Sequence, residues 1–286
     1  MIALLQEIFD PRFLLRNSVY ISLLIGFVCP LVGVYLVIRR LVFMAVALPQ
    51  VSSSGIAFIF ALHSWHWIPH LEEQSEHSLA FAGASVFTLA ALLLLGGRAE
   101  RQRDLEGRIG ALYVLAAAWS ILLLLKNPYG EHGLLDRLRG EIIAVSNVDL
   151  VLTAVVFLVV TVCLGLFQKE LLLASYDPEM ALSLGKRARA WDLLLFAFIG
   201  LTISLAVLSV GPLVAFGFLI LPPLIAREFA RTMTQFMISS SLIGGISALT
   251  GFCVAYRWDL PVGPTDIALL GFLYALSLGA RKLLRG

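Results

Sequence analysis

Four of the five histidines fall close together, at His63, His66, His70 and His77, among the carboxylates Glu72, Glu73 and Glu76. Imidazole and carboxylate are suitable zinc ligands, and His63, His66 and His70 would share one face of a helix. Pro69 opposes a continuous helix there, and Trp65 and Trp67 suit a membrane–water interface in which histidine is equally at home. Metal capture by these side chains and an ordinary interfacial segment are both open readings.

A second polar group stands inside an apolar run. Gln50, Ser53 and Ser54 are spaced i, i+3 and i+4, so they share a helical face, with Pro49 and Gly55 beside them. Polar groups in hydrocarbon need partners, so this stripe must face protein or a wet pathway. Helix packing through small residues is one account, and pathway lining is the other. A third group is Asp177-Pro178-Glu179 with Ala181 and Gly185. It has the pattern of a short helix capped by an aspartate, started by a proline and closed by a glycine. It reads as a self-capped connector or as a rigid knob that docks on another protein. Asp149, Asp192, Asp259 and Asp266 fall at the edges of apolar runs, where headgroup water can solvate them and capping is their ordinary use. Asp266, entering the last run behind Pro264-Thr265, is also a candidate to line a pathway.

The elements that hold these groups are transmembrane helices. Hydrophobic residues make up 59% of the 286 and charged residues 14%, against about 25% charged in soluble domains. Ser18 to Ile38 and Leu41 to Leu62 each carry no charged side chain, and Arg39-Arg40 lies between them. About 20 such residues suffice for a helix to cross roughly 30 Å of hydrocarbon. Further apolar runs fall near 79–97, 109–125, 150–167, 191–210, 212–226, 235–255 and 264–280. The two around Gly211-Pro212 are short and read as two spans or as one broken helix with an interfacial piece, so eight or nine spans are expected. Phe9, Phe13, Leu14 and Leu15 predict an interfacial helix ahead of the first span, and no cleavable signal peptide is expected.

Basic residues alternate along this ladder. Arg39 and Arg40; Arg98, Arg101, Arg103 and Arg108; Lys169, Lys186, Arg187 and Arg189; Arg227 and Arg231; and Arg281, Lys282 and Arg285 together hold fifteen of the 21 Lys and Arg. The positive-inside rule places these five segments in the cytoplasm, with the C-terminus inside and, for nine spans, the N-terminus outside. The loop from Arg98 to Arg108 mixes in Glu100, Asp104 and Glu106 and serves as a topological anchor, or touches a partner or anionic lipid.

Several functions are excluded. The chain has no Gly-rich phosphate loop ending in Lys-Ser/Thr, no Gly-x-Ser-x-Gly and no His-Glu-x-x-His. The spans carry too few ionisable groups for intramembrane catalysis, so the chain is not expected to be an enzyme. Cys29, Cys163 and Cys253 stand singly in apolar runs, which argues against disulfides and a Cys-based zinc site. A net charge of +2 gives no reason to expect nucleic acid.

Four segments together resemble the membrane subunit of bacterial zinc and manganese uptake ABC transporters: GVYLVIRRLVFMAVALPQVSSSGIAF (33–58), GEIIAVSNVDL (140–150), KELLLASYDPEMALSLG (169–185), and LAVLSVGPLVAFGFLILPPLIAR (205–227) followed by DLPVGP (259–264). The resemblance covers nearly the whole chain. It implies an all-α, polytopic membrane bundle of the type II ABC importer kind, with residues 1–286 forming a single permease domain in the bacterial cytoplasmic (inner) membrane. It also implies a homodimer, a separate ATPase that carries ATP and Mg, and an extracytoplasmic protein that delivers the metal, with membrane lipid around the bundle. No cofactor is expected on this chain. Asp177, Pro178, Glu179 and Gly185 carry over as ATPase-coupling residues. The expected cargo is a divalent metal, zinc first and manganese second.

One departure stands out. The family's second span carries an Asp and a His at i, i+4, and Val46 and Gln50 occupy those positions here. Valine offers no ligand atom and glutamine one carbonyl oxygen, so the family's metal site is not carried over. Import of an organic or metal-chelate substrate on the same fold is therefore a rival reading, as is a non-transporting partner subunit of an ATPase.

Overall fold

The computed structural model describes residues 15–65, 73–96, 102–125 and 146–285, and every regular element among them is a helix. In chain order these are α1 (Arg16–Ile38), α2 (Val42–Ser64), α3 (Glu73–Gly96), α4 (Gln102–Leu125), α5 (Asn147–Leu166), the short α6 (Gln168–Tyr176) and α7 (Pro178–Ser183), then α8 (Ala188–Arg227), α9 (Met233–Trp258) and α10 (Val262–Arg285). All but α6 and α7 are long and apolar enough to cross a bilayer, eight in number. Hydrocarbon offers backbone N–H and C=O groups no partner, so an open chain in it folds into helices. Several buried hydroxyls are satisfied within their own helix. Thr88 donates to the Ala84 carbonyl at 2.7 Å, Ser120 to Ala116 at 2.8 Å and Ser240 to Phe236 at 2.7 Å. The interfacial helix expected around Phe9, Phe13 and Leu14 lies outside the described residues.

The turn after α1 sets the cytoplasmic face. Leu41 N donates to Leu36 O at 2.8 Å and Arg40 N to Val37 O at 3.1 Å, a Schellman closure with Arg40 in the left-handed position at φ 58. Glycine is the usual occupant of that position.

Helix α8 answers the question left open at Gly211-Pro212. Forty straight residues would extend about 60 Å, twice the hydrocarbon thickness. Yet Asp192 near its start binds Arg39, and Arg227 at its end shares a cavity with Arg40. Both ends of α8 therefore lie at the cytoplasmic face. The chain rises, reverses at Gly211 and returns. Gly211 has φ 81 and ψ 167, a backbone state essentially reserved for glycine. Pro212 follows it, without an N–H to leave unsatisfied.

The return fixes the rest. Helix α9 starts on the cytoplasmic side and runs antiparallel to α1, with Ser241 Oγ donating to the Phe27 carbonyl at 2.8 Å. The two backbones approach closely where Gly26 meets Gly244, since a Cβ added at Gly26 would lie 2.8 Å from the Gly244 oxygen. Helix α10 then runs back, which puts Arg16 of α1 and the end of α10 at opposite faces of the bundle.

Helices α1, α2 and α8 form the centre. Tyr35, Ile21, Ile25, Met44, Leu48 and Phe218 are among the fully buried side chains. Helices α4, α5 and α10 form the rim and turn side chains such as Leu125, Leu158 and Phe272 outward.

Candidate functional site

The cytoplasmic segment between α5 and α8 is built as its residue types dictate. Asp177 caps α7, its carboxylate accepting from Met180 N at 2.8 Å. Pro178 occupies the first turn, where a missing N–H costs nothing. Lys186 N donates to Ala181 O at 3.0 Å and Gly185 N to Leu182 O at 2.9 Å, again a Schellman closure, with Gly185 at φ 72. No atom lies near a Cβ built on Gly185, so conformation rather than space requires the glycine. The capped-helix reading of Asp177 to Gly185 holds in detail.

This segment is braced by one internal ion pair and fastened to the bundle at two points. Lys186 Nζ and Glu170 Oε1 pair at 3.2 Å. A hydrogen bond from its own backbone amide, then the Lys186 ammonium, holds the Glu170 carboxyl below its ordinary value. Gln168 reaches the Met237 sulfur at 3.2 Å, and the Tyr176 hydroxyl lies 3.8 Å from the Met233 sulfur. The second fastening is Arg39, which donates from Nε to Ser175 Oγ at 3.0 Å and from Nη2 to Asp192 Oδ1 at 2.7 Å. Its guanidinium also lies 5.8 Å from the Phe196 ring centroid. Arg39, read from the sequence as a topological anchor, is a joint between α1, α6 and α8.

The outer surface of the segment carries several apolar side chains although it lies outside the membrane. Tyr176 is 65% exposed, Met180 51%, Leu182 63% and Leu184 59%, with exposed Glu179 among them. Exposed apolar side chains grouped outside the hydrocarbon suit contact with a protein or with the membrane surface.

Within the membrane, α2 places its polar stripe at two depths of burial. Ser53 and Ser54 are buried, whereas Gln50 and Val46 are half-buried on the same side. Close packing of small residues occurs one step along, where a Cβ on Gly55 would lie 2.6 Å from the Gly83 carbonyl oxygen of α3. Nearby, Phe58 and Phe87 pack at 5.5 Å between ring centroids. The packing account thus belongs to Gly55, and the half-open position belongs to Gln50.

Of the four clustered histidines, only His63 has a described side chain. His63 ends α2; His66 and His70 lie outside the described residues, as does the side chain of His77. Among the described residues no three His, Cys, Asp or Glu side chains converge as a metal site.

The aspartates read as solvated span-edge caps divide. Asp149 stands in the first turn of α5, its N–H bonded to the true cap, Ser146. Asp259 ends α9 in the left-handed conformation. Asp192 is no cap, because its carboxylate is taken by Arg39. Asp266 is not solvated either: it is fully buried where α10 meets Gly251 of α9, with the Ser22 hydroxyl of α1 facing its carboxylate. Pairing across the bundle and burial, both invisible to local sequence, account for these two corrections.

Comparison with known proteins agrees with this architecture. Residues 12–280 match the family described as ABC 3 transport family. An uncharacterized membrane protein of Synechocystis sp. is 28% identical over 271 residues, covering 94% of this chain and 91% of the relative. The manganese import system permease protein ScaB of Streptococcus parasanguinis is 26% identical over 264 residues, 92% of this chain and 89% of ScaB. Among solved structures, PsaBC from Streptococcus pneumoniae in complex with Fab superimposes with a TM-score of 0.81 at 23% identity, covering 97% of this chain and 95% of that one. That likeness establishes the fold.

Proposed function

We propose that this chain, which belongs to the ABC 3 transport family, is the permease half of a homodimeric importer for a divalent transition metal. A separate ATPase supplies ATP and Mg chemistry, and an extracytoplasmic binding protein delivers the ion. The observation that carries the reading is the set of exposed apolar side chains, Tyr176, Met180, Leu182 and Leu184, on and beside a capped cytoplasmic helix whose neighbour α6 is held by Arg39 and by α9. In this reading Asp177, Pro178, Glu179 and Gly185 shape the surface that the ATPase moves. Arg39 passes that motion to α1 and α8, and Gln168 and Tyr176 pass it to α9. A central pathway then opens alternately to the two sides, lined in part by Gln50, Ser53 and Ser54.

Zinc, placed first by resemblance, no longer leads manganese. The named relative is a manganese permease, and the oxygen donors of Gln50 and the serines suit manganese better than an imidazole-seeking zinc ion. Val46 and Gln50 also favour a second reading, in which a chelated metal passes without direct ligation by α2. Extracytoplasmic capture by His63, His66, His70 and His77 is an accessory proposal.

The experiment is the content of zinc, manganese and iron in chelator-limited cells that lack the gene, with and without its restoration. A selective fall in one metal, reversed by the restored gene, supports import and names the cargo. No change in any metal, with the protein shown to be in the membrane, removes the free-metal reading.

A further inference from the structure

Beside the docking segment is a cavity of about 440 Å³ into which Arg40, Arg227 and Arg231 all project, together with Tyr176 and Thr232. No carboxylate is among its lining residues, and none of the three guanidiniums is ion-paired among the described residues. Glu228 adjoins Arg227 in the chain but does not line the cavity. All three are exposed, so water and salt screen their mutual repulsion, and an anion held among them would relieve what remains. Arg40 adds a cost of its own, since a side chain at φ 58 is disfavoured relative to glycine. Glycine would close that turn more easily; arginine contributes a charge to the cavity.

We propose that this cavity binds the phosphate headgroup of an anionic phospholipid from the cytoplasmic leaflet. Depth is the first argument. The cavity sits where α1 and α8 end and α9 begins, which is headgroup level. Wall chemistry is the second. Ile38, Met233 and Phe236 line its apolar side, as the glycerol and upper acyl chains require. Phe229, between Arg227 and Arg231 in the chain, is 55% exposed, an aromatic at the membrane interface. Basic pockets between spans on this side take such headgroups. A soluble phosphate would gain nothing from the apolar wall. The bound lipid fastens the root of the docking segment, because Tyr176 lines the cavity and immediately precedes the cap Asp177. The proposal does not depend on the cargo.

The test uses the full-length protein in neutral detergent, titrated with phosphatidylglycerol or phosphatidylcholine, with bound lipid counted by native mass spectrometry. Wild type is expected to retain phosphatidylglycerol over phosphatidylcholine. The double variant Arg227→Gln/Arg231→Gln is expected to lose about thirty-fold in phosphatidylglycerol affinity, near fivefold per charge. Arg227→Lys/Arg231→Lys keeps the charge and should keep most of the binding, which separates a lost site from a misfolded protein. Arg187→Gln/Arg189→Gln, outside the cavity, should leave binding unchanged. Equal affinity for the two lipids, or full retention by the Gln double variant, overturns the proposal. So does inorganic phosphate binding as tightly as the lipid. Unaltered lipid binding with lost ATPase co-purification in the Gln variant would instead assign the cavity to the partner protein.

Discussion

The Arg39 guanidinium and the Asp192 carboxylate meet at 2.7 Å across 153 residues of chain. Arg39 is 11% exposed and Asp192 33%, so the pair is sheltered but not dry. It joins the inner end of α1 to the start of α8, and the same guanidinium reaches Ser175 of α6. One side chain thus couples the docking segment to two central helices.

A double-mutant cycle on Arg39→Ala and Asp192→Ala should return a coupling energy of about 1–2 kcal/mol, between an exposed ion pair and a buried charge-assisted hydrogen bond. Unfolding of the purified protein in detergent is the measurement. Simple additivity of the two losses would show that the contact contributes nothing to the folded state.

The reversal of α8 rests on one residue. Gly211→Ala should destabilise the protein by about 1–3 kcal/mol, since φ 81 with ψ 167 is closed to a side chain. Gly217→Ala offers a contrast, because there the obstacle is steric, the side chain of Ile267, and not the backbone. A Gly211→Ala protein as heat-stable as wild type would mean that the chain turns some other way.

Reversing the charge at Glu179 tests the docking face. Its side chain is exposed, and replacing the acid in the first turn of α7 costs only about 0.3–1 kcal/mol at an exposed helix end, so Glu179→Lys should still fold. In the proposed reading it loses ATPase co-purification and transport-coupled hydrolysis. Intact coupling in that variant would place the ATPase elsewhere.

Gln50 is half-buried where Ser53 and Ser54 are buried. In a background without Cys29, Cys163 and Cys253, a Gln50→Cys variant should react with small water-soluble thiol reagents in at least one nucleotide state. Protection in every state would assign the position to a packed interface between helices or protomers.

The helices themselves were legible because span formation is a local property. Some twenty apolar residues carry their own transfer free energy wherever they sit in the chain, and the alternation of basic clusters orders them. The cap at Asp177 and the closure at Gly185 were legible for the same reason: a helix end is completed by residues three to five apart. Gly211-Pro212 announced a break, but its consequence did not follow from the pair alone.

What the tertiary structure alone decided are the relations between distant elements. That α8 returns to its own side, that Arg39 serves Asp192 and Ser175, that Asp266 is sealed from water, and that Arg40, Arg227 and Arg231 share one cavity all depend on which helices become neighbours. In hydrocarbon every span is equally apolar, so hydrophobicity selects the spans and leaves their pairing to close packing and a few polar contacts. Those contacts join residues far apart in the chain, and no local pattern records them.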